Sequence, residues 1–182
     1  MSVATARKVR LATAWLDGCS GCHMSLLDMD ERILDVAAAV EVVYSPTVDA
    51  KTFPENVDVS IVEGAVSSEE DLHKIRLIRK NSKILVSLGD CGVTGNVPSM
   101  RNAFGIDQIL ARGYQENSHA NRRPPLSVVP RLLPRVRPIH EVVKVDVYVP
   151  GCPPPADAIH YVVAELLAGR MPDAGKLTRF GM

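Results

Sequence analysis

Four cysteines carry the chemistry open to this sequence. Cys19 and Cys22 stand three apart in Cys-Ser-Gly-Cys, Cys91 lies in Gly-Asp-Cys-Gly, and Cys152 lies in Pro-Gly-Cys-Pro-Pro. Two cysteines at i and i+3 can turn toward one metal centre. The intervening Ser20-Gly21 leaves backbone amides free to donate to sulfur, which stabilises thiolate charge. Gly18, Gly92 and Gly151 flank three of the cysteines, and glycine lets the backbone approach a bulky group closely. Four thiolates with no nearby carboxylate ligand suit a tetrahedral zinc site or a [4Fe-4S] cube.

Structural zinc usually draws on two closely spaced pairs and staples small folds that lack a core. This chain has one pair and two single cysteines, so a redox cluster fits the pattern better than a zinc-stapled, non-redox binding module. Inert core cysteines would not all fall in loop positions. A thioredoxin-like redox pair at Cys19 and Cys22 would leave Cys91 and Cys152 without a role.

Short apolar runs alternate with stretches of helical period, the signature of an α/β fold with a parallel sheet. Strands are expected at Val9–Leu16, Val40–Tyr44, Val57–Val62, Lys83–Leu88 and Val145–Val149. Helices are expected from Cys22 to about Val36, over Ser68–Lys80 with Ser67 or Ser68 as N-cap, over Phe104–Glu116, and over Ala156–Leu167 with Gly169 at its end. All four cysteines then follow strands. In a parallel sheet those positions share the carboxyl edge, where open α/β folds build their sites.

The 182 residues, 46% hydrophobic and 23% charged, read as a single domain, 1–182. Its exception is a Pro/Arg-rich irregular segment at 117–141, which holds five prolines and five arginines and reads as a docking element or a solvated excursion. Basic and acidic side chains balance at 21 each, so the charge points to no nucleic acid or anionic membrane partner. No apolar run reaches the roughly 18 residues of a membrane span, and Met1–Arg10 shows neither an apolar signal region nor a twin-arginine motif. A cytoplasmic location is expected, with no membrane insertion.

Taken together, Leu16-Asp-Gly-Cys-Ser-Gly-Cys-His-Met-Ser-Leu-Leu-Asp-Met-Asp, Val62-Glu-Gly-Ala-Val, Gly89-Asp-Cys-Gly and Val149-Pro-Gly-Cys-Pro-Pro resemble the small, electron-transfer subunit of [NiFe]-hydrogenases. The segments Asn96-Val-Pro-Ser-Met-Arg-Asn and Val128-Val-Pro-Arg-Leu-Leu-Pro-Arg-Val-Arg-Pro-Ile-His-Glu-Val-Val narrow the resemblance to the cytoplasmic NAD-reducing, bidirectional (HoxY) type. The resemblance covers nearly the whole chain. It implies a flavodoxin-like fold, a five-stranded parallel sheet with helices on both faces, and a proximal [4Fe-4S] cluster on Cys19, Cys22, Cys91 and Cys152. It further implies a large subunit carrying the Ni-Fe centre, and diaphorase subunits with iron-sulfur clusters and FMN that reduce NAD+. The chain itself would then be a subunit of an H2:NAD+ oxidoreductase with no catalytic residue of its own. The competing family, the cluster subunit of respiratory complex I, has two adjacent cysteines at the first site, where this chain has Ser20-Gly21 between them. A complex I-like or ferredoxin-linked hydrogenase is the nearer alternative. FMN on this subunit is the weaker expectation, because Cys-Ser-Gly-Cys occupies the turn where a flavodoxin cradles phosphate.

Beside the cysteines, Glu63 ends the third strand and is weighed as a proton carrier against a structural carboxylate. His23 is weighed as a donor to sulfur against a surface histidine, Trp15 and Met24 as cluster packing against ordinary core, and Asp90 as a turn or N-cap residue.

Overall fold

The computed structural model describes residues 7–120, 122–125 and 127–181. The first six residues of the N-terminal stretch, and residues 121 and 126 of the Pro/Arg-rich segment, lie outside the described residues.

Chain order begins with β1 (Val9–Trp15), α1 (Gly21–Leu27), α2 (Arg32–Ala39), β2 (Val40–Tyr44), β3 (Val57–Glu63) and β4 (Val66–Ser68). Next come α3 (Glu69–Asn81), β5 (Ser82–Leu88), α4 (Gly89–Thr94), α5 (Asn96–Ser99) and α6 (Ile106–Ala111). The described chain closes with β6 (Leu132–Arg137), β7 (Val147–Val149) and α7 (Ala156–Leu167). Five strands form a parallel sheet in the order β2-β1-β3-β5-β7. Counted within that sheet the order is 2-1-3-4-5, the flavodoxin-like arrangement.

A parallel sheet must be covered on both faces, and side chains one apart along a strand go to opposite sides. Leu11, Val59, Ile61, Val86 and Val147 pack on one side with Ile159, Val162, Val163 and Leu166 of α7. Ala12, Ala14, Val62 and Leu85 pack on the other with Ile75 and Ile78 of α3. Ser68 caps α3 as its position suggests. Its hydroxyl accepts the Asp71 N–H at 3.1 Å while the Asp71 carboxylate accepts the Ser68 N–H at 2.9 Å, a reciprocal pair.

Three expectations are corrected. The helix expected from Cys22 to Val36 is two helices, α1 and α2, parted by a turn in which Asp30 takes a φ of +53°. The break turns Met29 into the core, where it is 1% exposed. The helix expected to Glu116 ends as α at Ala111 and continues as a π-helical turn over Arg112–Glu116.

The segment 117–141 is only partly irregular, because β6 lies inside it and pairs antiparallel with β4. Pro134 is tolerated there because β6 has a single neighbour. Two side chains from the turn after α5 hold the strand. Asn102 donates to the Val136 carbonyl at 2.9 Å and accepts its N–H at 2.7 Å, and Arg101 donates to the Leu133 carbonyl at 3.0 Å. Among the described residues no helix is long and apolar enough to cross a membrane.

Candidate metal centre

β1, β3, β5 and β7 end side by side, and the loops leaving them meet over one cavity of about 70 Å³. Cys19, Cys22, Cys91 and Cys152 all line it, with Glu63 and Asp90. The thiols stand around this cavity rather than about a point. Among the described residues no three His, Cys, Asp or Glu side chains are set to hold a single ion.

Each loop uses its local sequence to deliver its sulfur. Ser20 takes a left-handed φ of +67°, which turns the chain from Cys19 into α1, so that the Gly21 N–H donates to the Cys19 sulfur at 3.4 Å and Cys22 enters the first helical turn. Not all four cysteines keep the expected loop positions, since Cys22 lies in α1 and Cys91 sits in α4, which starts directly at the end of β5 on Gly89 and draws the thiol into a helical turn. Gly89 has a φ of +78°, and a Cβ there would lie 2.2 Å from the Cys22 sulfur. Only glycine allows this approach of backbone to thiol. Cys152 follows Gly151, where a Cβ would stand 2.6 Å from the Cα of Pro154. The buried Ser25 hydroxyl of α1 donates to the Pro154 carbonyl at 2.6 Å and ties the first cysteine loop to the last.

Asp90 does more than shape a turn. It is 2% exposed, and its carboxylate accepts the Gly151 N–H at 2.7 Å and the Gly181 N–H at 2.8 Å. Its own N–H donates to the Gly151 carbonyl at 2.9 Å. The residues preceding Cys91 and Cys152 are thereby fastened to each other.

Glu63, also 2% exposed, accepts the His23 backbone N–H at 2.7 Å and faces His23 Nδ1 at 2.8 Å. His23 is thus not a surface residue; its Nδ1 is turned to Glu63, and its buried Nε2 has no hydrogen-bond partner among the described residues. Trp15 lies edge-on to the His23 ring at 5.5 Å. Trp15 is 39% exposed and Met24 60%, so neither belongs to the core.

The electrostatics bear on what fits here. Burial pushes the Cys22 thiol up, with Glu63 and the other three cysteines adding to the effect. The Cys91 thiol is pushed up to about 11 by burial and then by Cys152 and Cys19, against a hydrogen bond from the Val97 N–H. The Cys22 and Cys91 thiols thus resist becoming anions. A cationic iron core bound here would offset that resistance, since a metal deprotonates the thiols that bind it. An all-sulfur donor set, glycine-lined walls and N–H groups aimed at sulfur fit an iron-sulfur group.

Sequence reading did not single out Asn96 for this site. Its side-chain Nδ2 donates to the Cys152 sulfur at 3.6 Å. The signal available was its place five residues past Cys91 in Gly-Asn, a pair that turns the chain back on itself.

Residues 19–166 match the family model described as NADH ubiquinone oxidoreductase, 20 Kd subunit. The chain is 43% identical over 168 residues to the delta subunit of the NAD-reducing hydrogenase HoxS of Cupriavidus necator, covering 90% of this chain and 80% of that one. It is 31% identical over 187 residues to the iron-sulfur subunit of the F420-non-reducing hydrogenase of Archaeoglobus profundus, covering 92% of this chain but 58% of the relative's length. Among solved structures, a chain of an NAD+-reducing [NiFe]-hydrogenase crystallised in the H2-reduced state superposes with a TM-score of 0.91 at 40% identity, covering 96% of this chain and 99% of that one.

Proposed function

We propose, from the premise that the chain belongs to the family of the NADH ubiquinone oxidoreductase 20 Kd subunit, that it is the electron-transfer small subunit of an NAD-reducing [NiFe]-hydrogenase. The observation that carries this reading is the meeting of Cys19, Cys22, Cys91 and Cys152 on one cavity at the carboxyl edge of the sheet. The relatives described as hydrogenase subunits support it.

In this reading the four cysteines would hold a proximal [4Fe-4S] cluster through their thiolates. Bound there, the cluster supplies one-electron transfer between the Ni-Fe centre of a large subunit and a diaphorase module that reduces NAD+. Gly89 and Gly151 let the backbone close in on the sulfurs, and Asp90 keeps the loops of Cys91 and Cys152 in register. Glu63 holds His23 beside the site through the His23 backbone N–H and Nδ1. Hydrogen splitting needs a metal with open coordination positions. All four cysteines of the sequence are spent on the cluster, so that step belongs to the partner. The chain also lacks the Gly-x-Gly-x-x-Gly fingerprint for a nucleotide of its own. The complex acts in the cytoplasm.

The family description also covers the cluster subunit of respiratory complex I. The Ser20-Gly21 spacer between the first two cysteines favours the hydrogenase.

The test is the metal content of the full chain and of Cys91→Ala. Wild type should hold iron and acid-labile sulfide with visible absorption, and the variant should lose or degrade both. Zinc without sulfide, or iron and spectra unchanged in Cys91→Ala, overturns the assignment.

A further inference from the structure

We infer that Asn96 is a positioning residue for the iron-sulfur group: its side-chain amide donates a hydrogen bond to the Cys152 sulfur and thereby raises the reduction potential of the cluster. The inference rests on the proposed function and deepens it.

Asn96 opens α5, directly after the turn at Gly95. Its Nδ2 lies 3.6 Å from the Cys152 sulfur, within the longer reach of a sulfur acceptor. A thiolate can only accept, so the amide must present its NH2 end to it. The backbone holds this pose. Gly95 takes a φ of +88° and donates its N–H to the Cys91 carbonyl at 3.0 Å, Asn96 takes a φ of +28°, and the Ser99 hydroxyl donates back to the Asn96 carbonyl at 2.7 Å. Asn is among the few residues that accept positive φ readily.

This corner, which follows the Cys91 helix on β5, thus supplies a donor to a thiol that arrives from a different strand, β7. Cys19 receives the Gly21 N–H. Of these two donors to sulfur among the described residues, the Gly21 N–H is a backbone group that no substitution short of proline removes. Asn96 is the side chain among them, and so the donor that sequence can adjust.

Reduction adds negative charge to the cluster and its sulfurs. An N–H pointing at a ligand sulfur therefore stabilises the reduced form more than the oxidised one, and hydrogen bonds to sulfur are one of the levers that set such potentials. Removing the donor should shift the potential to a more negative value.

The experiment is a redox titration of the full chain reconstituted anaerobically with ferrous iron and sulfide, followed by EPR of the reduced cluster. Asn96→Gly removes the side chain and tolerates the backbone. Asn96→Asp keeps the shape but replaces a donor by a charged acceptor. Both should bind wild-type iron and labile sulfide and titrate at more negative potentials, Asn96→Asp further than Asn96→Gly. Potentials unchanged, or shifted to more positive values, overturn the inference. If one variant loses iron, the other carries the measurement, and loss from both replaces the tuning role by a purely structural one. A wild-type chain that binds no iron-sulfur cluster defeats the proposed function before the variants are compared, whereas a wild-type cluster with unshifted variants defeats only the role of Asn96.

Discussion

Asp90 and Gly151 are joined twice, the Asp90 N–H donating to the Gly151 carbonyl at 2.9 Å and the Gly151 N–H donating to the Asp90 carboxylate at 2.7 Å. Each is followed by a cysteine, Cys91 and Cys152. The second carboxylate oxygen accepts the Gly181 N–H at 2.8 Å, so the same buried side chain also pins the end of the chain. One aspartate therefore sets the spacing of two sulfurs that the sequence holds far apart.

Asp90→Ala leaves the Gly151 and Gly181 N–H groups without their acceptor. Hydrogen bonds to a charged group contribute about 1.5–3 kcal/mol each, so a loss of about 3 kcal/mol or more is expected. Asp90→Asn keeps one acceptor oxygen and should lose less. Urea unfolding of the two variants, with iron retention measured alongside, checks the order. An Asp90→Ala chain that unfolds at the wild-type midpoint would show that the loops are held in register by other contacts.

Gly89 and Gly169 separate backbone strain from steric exclusion. Both take left-handed φ values, +78° and +74°, but a Cβ on Gly89 would lie 2.2 Å from the Cys22 sulfur, whereas one on Gly169 meets nothing within 4 Å. Gly169→Ala should cost about 1 kcal/mol of stability, the usual penalty for an alanine held in that conformation, and leave iron binding intact. Gly89→Ala should abolish iron binding, because the clash falls on the Cys22 thiol, one of the proposed ligands. Iron content and thermal melting of the pair decide this, and equal behaviour of the two variants would count against the close approach at Gly89.

Acid should weaken the opposite edge of the sheet through Asp58. Partial burial pushes its carboxyl up, but hydrogen bonds from Lys83, the Arg10 N–H and Arg7 outweigh that and hold it at about 2, below the ordinary 3.8. A carboxylate whose folded value is lowered stabilises the fold above its ordinary value, and loses that contribution as pH falls through the folded one. Asp58→Asn should therefore melt below wild type at neutral pH, with the gap closing between about pH 4 and pH 2. Melting curves across that range test the sign, and a gap that widens on acidification would refute it.

What the sequence determined by itself is local or follows from sheet geometry. The Ser68 and Asp71 pair is legible because a capping box spans one helical turn. The convergence of Cys19, Cys22, Cys91 and Cys152 is legible because parallel strands carry everything that follows them to one edge, whatever the length of chain between. Tertiary structure decided the rest. Leu132–Arg137 reads as proline-broken loop until β4 lies beside it, and the turn at Asp30 is visible only in the burial of Met29. Trp15 and Met24 look like core from their apolarity and are exposed. Asp90, His23 and Asn96 carry polar groups that could satisfy themselves locally, yet their partners are Gly151 and Gly181, Glu63, and Cys152. A hydrogen bond forms within about 3 Å, or somewhat more to sulfur, and has no periodicity to announce it. Which donor meets which acceptor is set only when packing brings distant strand ends together, so the convergence of the cysteines could be read from their places after strands, while the groups that position them could not.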